Sequence, residues 1–296
     1  MSTQPVVAAV DGSDDSLRAL RWALDAARRR EAPLRVVHVR QYAPWAQPEV
    51  LAAGPPDPAE DPVLDRAREH LAGFSAVEYV PLEGAPGALL PEAGAEAALL
   101  VLGSRGRGGF ASLLLGSNSL AAARDAECPV VVVPRPGRGG DGAGQAGPDA
   151  PVVVGVNAES PDEATLAFAF AEAALRGVPL RVLAAYPWPL QTWMLPGEMP
   201  PPDIDQDAVE HETRVLTDGF LAPYRERHDS VTARTDVLPG DAAGHLVEAS
   251  RAASLVVVGR HRRRLLSPAR MMGSVTQAVL LHAVSPAAVI PPAQLA

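Results

Sequence analysis

The sequence contains no lysine: all 26 of its basic side chains are arginine. A Walker P-loop, a protein kinase and a pyridoxal-phosphate enzyme each require a lysine at the reacting or phosphate-binding centre, so none of the three can be built from this chain. Isoleucine is confined to Ile204 and Ile290, while alanine and the 30 prolines are abundant. This is the pattern of G+C-rich coding, and arginine in place of lysine reads as drift, not adaptation. Cys128 is the only cysteine, which excludes an intrachain disulfide and makes a reducing cytoplasm the natural home. No stretch approaches the ~20 apolar residues of a membrane span. The N-terminus also lacks the basic flank and apolar run of a signal peptide. The net charge of −9 argues against a general nucleic-acid-binding surface.

What is present is an internal repeat. Val6-Val7-Ala8-Ala9-Val10-Asp11 is echoed by Val152-Val153-Val154-Gly155-Val156-Asn157, and the offset of 146 holds without a gap to Pro33-Leu34-Arg35-Val36 and Pro179-Leu180-Arg181-Val182. Leu100-Val101-Leu102-Gly103 answers Val256-Val257-Val258-Gly259 at an offset of 156, and Gly116-Ser117 answers Gly273-Ser274 at 157. The expected organisation is a first domain over 1–136, a flexible glycine-rich linker over 137–150 and a second domain over 151–296.

Each half alternates apolar runs with helical patterns. In the first half the runs lie at 6–10, 34–39, 76–82, 98–102 and 129–133. Helices are expected from Ser16 to Arg30 with Ser13 as N-cap, from Asp61-Pro62 onward, around 85–95 despite Pro91 and Gly94, and from Ser117 to Asp125. Leu17, Leu20, Leu24 and Ala27 form the apolar face of the first helix. Continuous apolar strands alternating with helices imply parallel sheets covered on both faces, hence two α/β domains.

In such sheets ligands bind beyond the carboxyl ends of the strands, where strand order reverses. Asp11 ends the first strand and Gly103 the fourth; in an order of 3-2-1-4-5 these ends are neighbours. After Gly103 come Gly106, Gly108 and Gly109, then Gly116-Ser117-Asn118 opening a helix. Glycines let backbone amides approach a phosphate, and a helix N-terminus supplies partial positive charge, so no lysine is required. Ser117 reads either as a hydroxyl donor to the same anion or as a helix cap, and Asp11 as a ligand or a turn-capping carboxylate.

Gly103-x2-Gly106-x9-Gly116-Ser117, with Val10-Asp11-Gly12-Ser13 upstream, His38-Val39 and the closing Cys128-Pro129-Val130 run, resembles the nucleotide-binding pattern of the universal stress protein family. The resemblance covers nearly the whole chain, twice. It implies two tandem Rossmann-like (adenine nucleotide alpha hydrolase-like) domains, each a five-stranded parallel sheet of order 3-2-1-4-5 with helices on both faces. It also implies ATP bound without a dedicated hydrolytic apparatus, so not an enzyme beyond a weak ATPase, acting as a nucleotide-dependent stress-response regulator. By the resemblance, Ala9, Val10 and Asp11 line the adenosine side and Val39 the adenine. Leu102, Gly103, Gly106, Gly116, Ser117 and Asn118 line the ribose and phosphates. Asp11 is also a candidate to hold a phosphate-bound Mg²⁺. Domains of this family pair through their last strands, which implies an intrachain pseudo-dimer and leaves a further homodimer and a protein partner open.

The second half departs from the pattern. Asn157 replaces the aspartate, Ala158-Glu159 replace Gly-Ser, and Arg262 stands at the second glycine; Gly259, Gly273 and Ser274 remain. Its site is expected to be weak, altered or empty. Arg260, Arg262, Arg263 and Arg264 read first as a solvated basic loop and second as a direct grip on an anion. The alternatives for the whole chain are a nucleotide-free interaction scaffold and an ATP-cleaving or adenylyl-transferring enzyme. For the enzyme neither a Ser-Gly-Gly loop nor a His-x-Gly-His motif is present. The seven histidines lack metal-ligand spacing, and Cys128 has no identifiable His partner. Trp45, Trp188 and Trp193 sit in proline-rich loops as lids or packing anchors.

Overall fold

The structure is a computed structural model, described here for residues 4–41, 60–74, 76–106, 114–137, 147–186, 205–260 and 272–293. The first half runs β1 (Val6–Ala9), α1 (Asp14–Arg30), β2 (Leu34–Arg40), α2 (Pro62–His70), β3 (Val77–Glu83), α3 (Pro86–Ala93), β4 (Leu99–Gly103), α4 (Ser117–Asp125) and β5 (Val130–Val133). The second repeats the series as β6 (Val152–Val156), α5 (Glu163–Arg176), β7 (Leu180–Tyr186), α6 (Gln206–Arg227), β8 (Ala233–Pro239), α7 (Ala242–Ala249), β9 (Leu255–Gly259), α8 (Ser274–His282) and β10 (Ala287–Ile290). The linker residues 138–146 and all three loop tryptophans lie outside the described residues.

All ten strands form one sheet of order β3-β2-β1-β4-β5-β10-β9-β6-β7-β8. Within each half the pairing is parallel in the expected order 3-2-1-4-5; the halves meet through an antiparallel β5–β10 pair, Ala287 opposite Val132 and Val289 opposite Val130. The apolar strands are buried on both faces, and two core layers run continuously across the halves, one holding Val6, Leu20, Val152 and Phe170, the other Val7, Leu100, Val153 and Val256. Each fully buried leucine or phenylalanine contributes about 1.5–3 kcal/mol of transfer free energy.

Local signals act where the sequence places them. Ser13 caps α1 by accepting from the Ser16 amide, so the helix begins at Asp14, two residues ahead of the expected start. Asp61 caps α2 with Pro62 in the first turn. The core face of α1 carries Leu17, Leu20, Ala23 and Ala27, while Leu24 lies at its margin, only partly buried. Helix α3 contains Pro91 and stops at Gly94, where the added proline and glycine end a two-turn helix.

Candidate functional site

Register aligns three strand ends at the switch point of the first half. Val6 pairs with Leu34 and with Leu99, a register that sets Val39 of β2 level with Asp11 and Ser104, which lie just beyond the ends of β1 and β4. The Val10 amide donates to the Val37 carbonyl at 2.9 Å, continuing the ladder to the rim. Ala9, Val39 and Leu102 are buried in one layer directly beneath this rim and form an apolar floor, while Val10 is buried on the opposite face of the sheet, in the layer with α1.

Asp11 tops the floor. Its Oδ1 accepts from the Ser13 amide (3.0 Å) and the Ser13 hydroxyl (2.6 Å), so the turn-capping reading of Asp11 is correct for one oxygen. The other oxygen, Oδ2, faces Gly106: a Cβ at Gly106 would come closer than 3.0 Å to it. Gly12 adopts φ 78°, which an L side chain rarely adopts, and its carbonyl accepts from Arg66 Nη1 at 2.6 Å. Arg66 also reaches Asp14 at 3.2 Å, tying the Asp11 turn to α2.

The three glycines of the pattern have different tasks. A Cβ at Gly103 would lie 2.8 Å from the Asp15 carbonyl and 3.0 Å from the Ser16 amide nitrogen, so Gly103 lets the start of α1 pack on β4. Gly106 leaves room for the Asp11 carboxylate. Gly116 is the N-cap of α4 and supplies no side chain to the first amides of that helix; its own amide donates to the Ser104 carbonyl at 2.8 Å. Ser117 is therefore the first helical residue and does not cap the helix, which corrects one of its two expected roles. Ser117 and Asn118 are exposed at the helix start, with Asn118 Oδ1 near Gly87 of α3. The helix is held against β4 by Ser119, whose hydroxyl donates to the Gly103 carbonyl at 2.7 Å. Helices α1, α2, α5, α6 and α7 all have their first amides taken by a Ser or Asp side chain; α4 and α8, with glycine caps, and α3, with Ala85, do not.

Ser104, Ser119 and Arg66 are site-building residues that the motif reading missed. A signal for Ser119 existed in the repeat: its counterpart at offset 157 is Thr276, whose hydroxyl donates to the Gly259 carbonyl at 2.8 Å. A second polar cluster adjoins the rim. Buried Asp61 accepts from His38 Nδ1 (2.8 Å), Arg40 Nε (3.0 Å) and the amides of Val63 and Leu64, joining β2 to α2. Burial alone raises the Asp61 pKa, but the bonds from His38, Leu64 and Arg40 outweigh it and hold the carboxyl below its ordinary value.

The second half keeps the frame and changes the chemistry. Asn157 Oδ1 accepts from the Glu159 amide at 3.0 Å, the same turn with a neutral side chain. A Cβ at Gly259 would meet Thr165 Oγ1 at 2.7 Å and the Asp162 carboxylate at 2.9 Å, so a negative charge lies against the β9 end. Arg260, level with Asn157, is neither solvated nor poised for an anion: it is buried, and Nη1 donates to the Ala123 and Arg124 carbonyls (3.2 and 2.6 Å) at the end of α4. Gly273 caps α8 without a side chain and Ser274 begins it, the same arrangement as Gly116 and Ser117 in the first half. Arg262, Arg263 and Arg264 lie outside the described residues.

Cys128 is buried, and burial pushes its thiol up to about 12, which gives an inert packing residue. Among the described residues no group of three or more His, Cys, Asp or Glu could hold a metal ion, and no helix is long and apolar enough to cross a membrane.

Two doubly wound α/β units sharing one sheet, the first with the Asp11 turn and the glycine-capped start of α4 at its switch point, place the chain in the class of tandem Rossmann-like proteins. The chain belongs to the universal stress protein family, whose model matches residues 2–134 and again 150–291. A universal stress protein of Mycobacterium tuberculosis is 34% identical over 286 residues, covering 93% of this chain and 92% of that protein. One of Mycolicibacterium smegmatis is 30% identical over 307 residues, covering 97% of each. Among solved structures, a universal stress protein from Archaeoglobus fulgidus has a TM-score of 0.66 at 16% identity, covering 98% of this chain and 99% of that one. A chain from Pseudomonas aeruginosa reaches 0.65 at 17%, covering 98% and 94%. At those identities the structures bear on the fold alone.

Proposed function

We propose that the first half binds one ATP in the crevice between the Asp11 turn and the start of α4, and that the protein is a nucleotide-dependent stress-response regulator of the cytoplasm with at most a weak ATPase activity. The observation that carries this reading is the pairing of a helix start without a side-chain cap with glycines whose absent Cβ atoms keep the approach to it open. Helix-start amides favour an anion without any lysine. The residues fit the ligand in kind: an apolar floor of Ala9, Val39 and Leu102 suits a purine, and the Gly103–Gly106 and Gly116–Asn118 segments suit phosphates. A Mg²⁺ carried in on the phosphates finds one protein oxygen ligand in Asp11 and keeps its waters. ATP ordering the glycine segment biases a surface that a protein partner reads.

The second half, with Asn157 for the carboxylate, Ala158-Glu159 for Gly-Ser and Arg262 at the second glycine, departs from this set of groups, which supports one nucleotide per chain. The test is equilibrium binding of labelled ATP to wild type and Gly116→Arg. The Cβ position at Gly116 has only ordinary contacts, 3.5 Å from the Ser104 carbonyl, so the backbone accepts a side chain while the arginine fills the cradle. Binding to the wild type and its loss in the folded variant support the reading; a folded wild type that binds no ATP leaves the scaffold alternative standing.

A further inference from the structure

The pseudo-twofold axis relating the halves passes through the facing pair Val131 and Ala288, which are themselves equivalents at offset 157. Beside it α1 and α5 meet, and there equivalent positions differ, Asp25 against Ala171 and Arg29 against Leu175 among them, with one difference fully buried. Arg30 of α1 and Arg176 of α5 are equivalents at offset 146, and the nearly fully buried Glu172 makes ion pairs with both: with Arg30 across the interface and with Arg176 at 3.1 Å one turn along its own helix. The equivalent of Glu172 in the first half is Ala26, also buried. One carboxylate therefore serves two symmetry-related guanidinia. Burial pulls both arginines down to about 10, so each depends on a partner within the interface. Arg176 lies 5.1 Å over the ring of Trp22 in the first half, an attraction that also spans the interface. A second asymmetric contact sits on the other side of the axis: Arg260 donates into the carboxyl end of α4, and its equivalent at offset 156 is Ser104, too short to return the contact.

We propose that Glu172, supported by Arg260, determines partner identity at this interface, so that a first half accepts a second half and rejects a first half from another copy of this chain. This goes beyond the pairing of halves within the chain, which symmetry alone permits between any two copies of the fold. Pairing two first halves sets Arg30 against Arg30 with Ala26 on both sides. The neighbouring charges offset this only in part: each α1 also brings Arg29, and Asp25, which across the interface favours the charged form of Arg176, is half-exposed beside Arg28. Pairing two second halves is balanced in charge, but in the full chain it strands two first halves. The rejection of the wrong partner therefore resides in the first half, and the carboxylate that relieves it resides in the second. A charge left buried without its partner is the repulsive element that specificity requires.

A cysteine at the axis reads the partner directly. In full-length Cys128→Ser/Val131→Cys, two first halves that pair bring two thiols opposite each other, whereas unlike halves place the thiol opposite Ala288. Serine is the residue at the equivalent of Cys128, Ser285, where it fits the packing although its buried hydroxyl lacks a hydrogen-bond partner among the described residues, so the reporter's own stability is the baseline for the variants. The protein is refolded from denaturant in a glutathione redox buffer, and disulfide-linked dimer is quantified on a non-reducing gel. The reporter alone is expected to give almost none. Adding Glu172→Ala removes the preference, and adding Ala26→Glu with Glu172→Ala moves the carboxylate to the first half while keeping one per chain. Each is expected to raise the linked dimer by at least about tenfold. The moved carboxylate should also recover thermal stability lost in Glu172→Ala. Linked dimer as abundant in the reporter alone as in the variants, or no rise in either variant, overturns the proposal.

Discussion

Gly106→Ala separates binding from folding more sharply than any other single change. The backbone at Gly106 is not in the left-handed region and the residue is exposed, so alanine meets no conformational strain. Its Cβ would nonetheless stand closer than 3.0 Å to Asp11 Oδ2, where ordinary contact begins at 3.4 Å. Either the carboxylate retreats and loses one of its two bonds to Ser13, or the 104–106 segment moves away from the start of α4. A hydrogen bond to a charged group contributes about 1.5–3 kcal/mol, so the binding-ready arrangement becomes costlier by about 2 kcal/mol. That corresponds to roughly a 30-fold loss of ATP affinity. Global stability should change by under about 0.5 kcal/mol where the exposed segment yields, and by at most the same about 2 kcal/mol where the Asp11–Ser13 bond is lost. Isothermal titration with ATP and a thermal scan measure both quantities. An affinity within twofold of wild type in a folded Gly106→Ala protein would refute the reasoning.

Gly103→Ala should behave in the opposite way, losing about 1–3 kcal/mol in urea unfolding because its Cβ strikes the backbone at Asp15 and Ser16; an unchanged midpoint contradicts the packing role. Asp61 has a folded pKa held below the ordinary carboxylate value, so the stability it contributes is complete above its unfolded pKa of about 4 and disappears as pH falls through the lower folded one. Asp61→Asn should therefore be less stable at pH 7 and flatten the acid limb of stability against pH, and identical acid limbs would rule this out. Cys128, with a thiol pushed up to about 12, should resist iodoacetamide at pH 8 in the native protein and react on unfolding; labelling without unfolding would show that the thiol is accessible.

The sequence revealed what short spacings encode. The strands read as apolar runs because both faces of a parallel sheet are covered, and Ser13 and Asp61-Pro62 marked helix starts because a cap acts on amides two or three residues away. The repeat offsets also exposed where the second half departs, at Asn157 and Ala158-Glu159. What stayed hidden depends on contacts distant in sequence. Arg260 sits among four other charged or histidine neighbours in sequence and reads as a solvated loop, yet the β5–β10 pairing carries it to the end of α4, 136 residues away. Glu172 looks like any helical glutamate until the halves close on it. Gly106 and Gly103 share a motif, and only the fold shows that one makes room for a carboxylate and the other for a helix. In the second half, Asp162 caps α5, and its approach to Gly259 follows from packing alone.

The most direct measurement is the nucleotide content of the protein as purified, released by denaturation, identified by mass and counted per chain. The crevice at Asp11, Gly106 and Gly116 and its altered counterpart at Asn157 predict one adenine nucleotide per chain, lost in Gly116→Arg. Two nucleotides per chain, or none in a protein that also fails to take up added ATP, would contradict it.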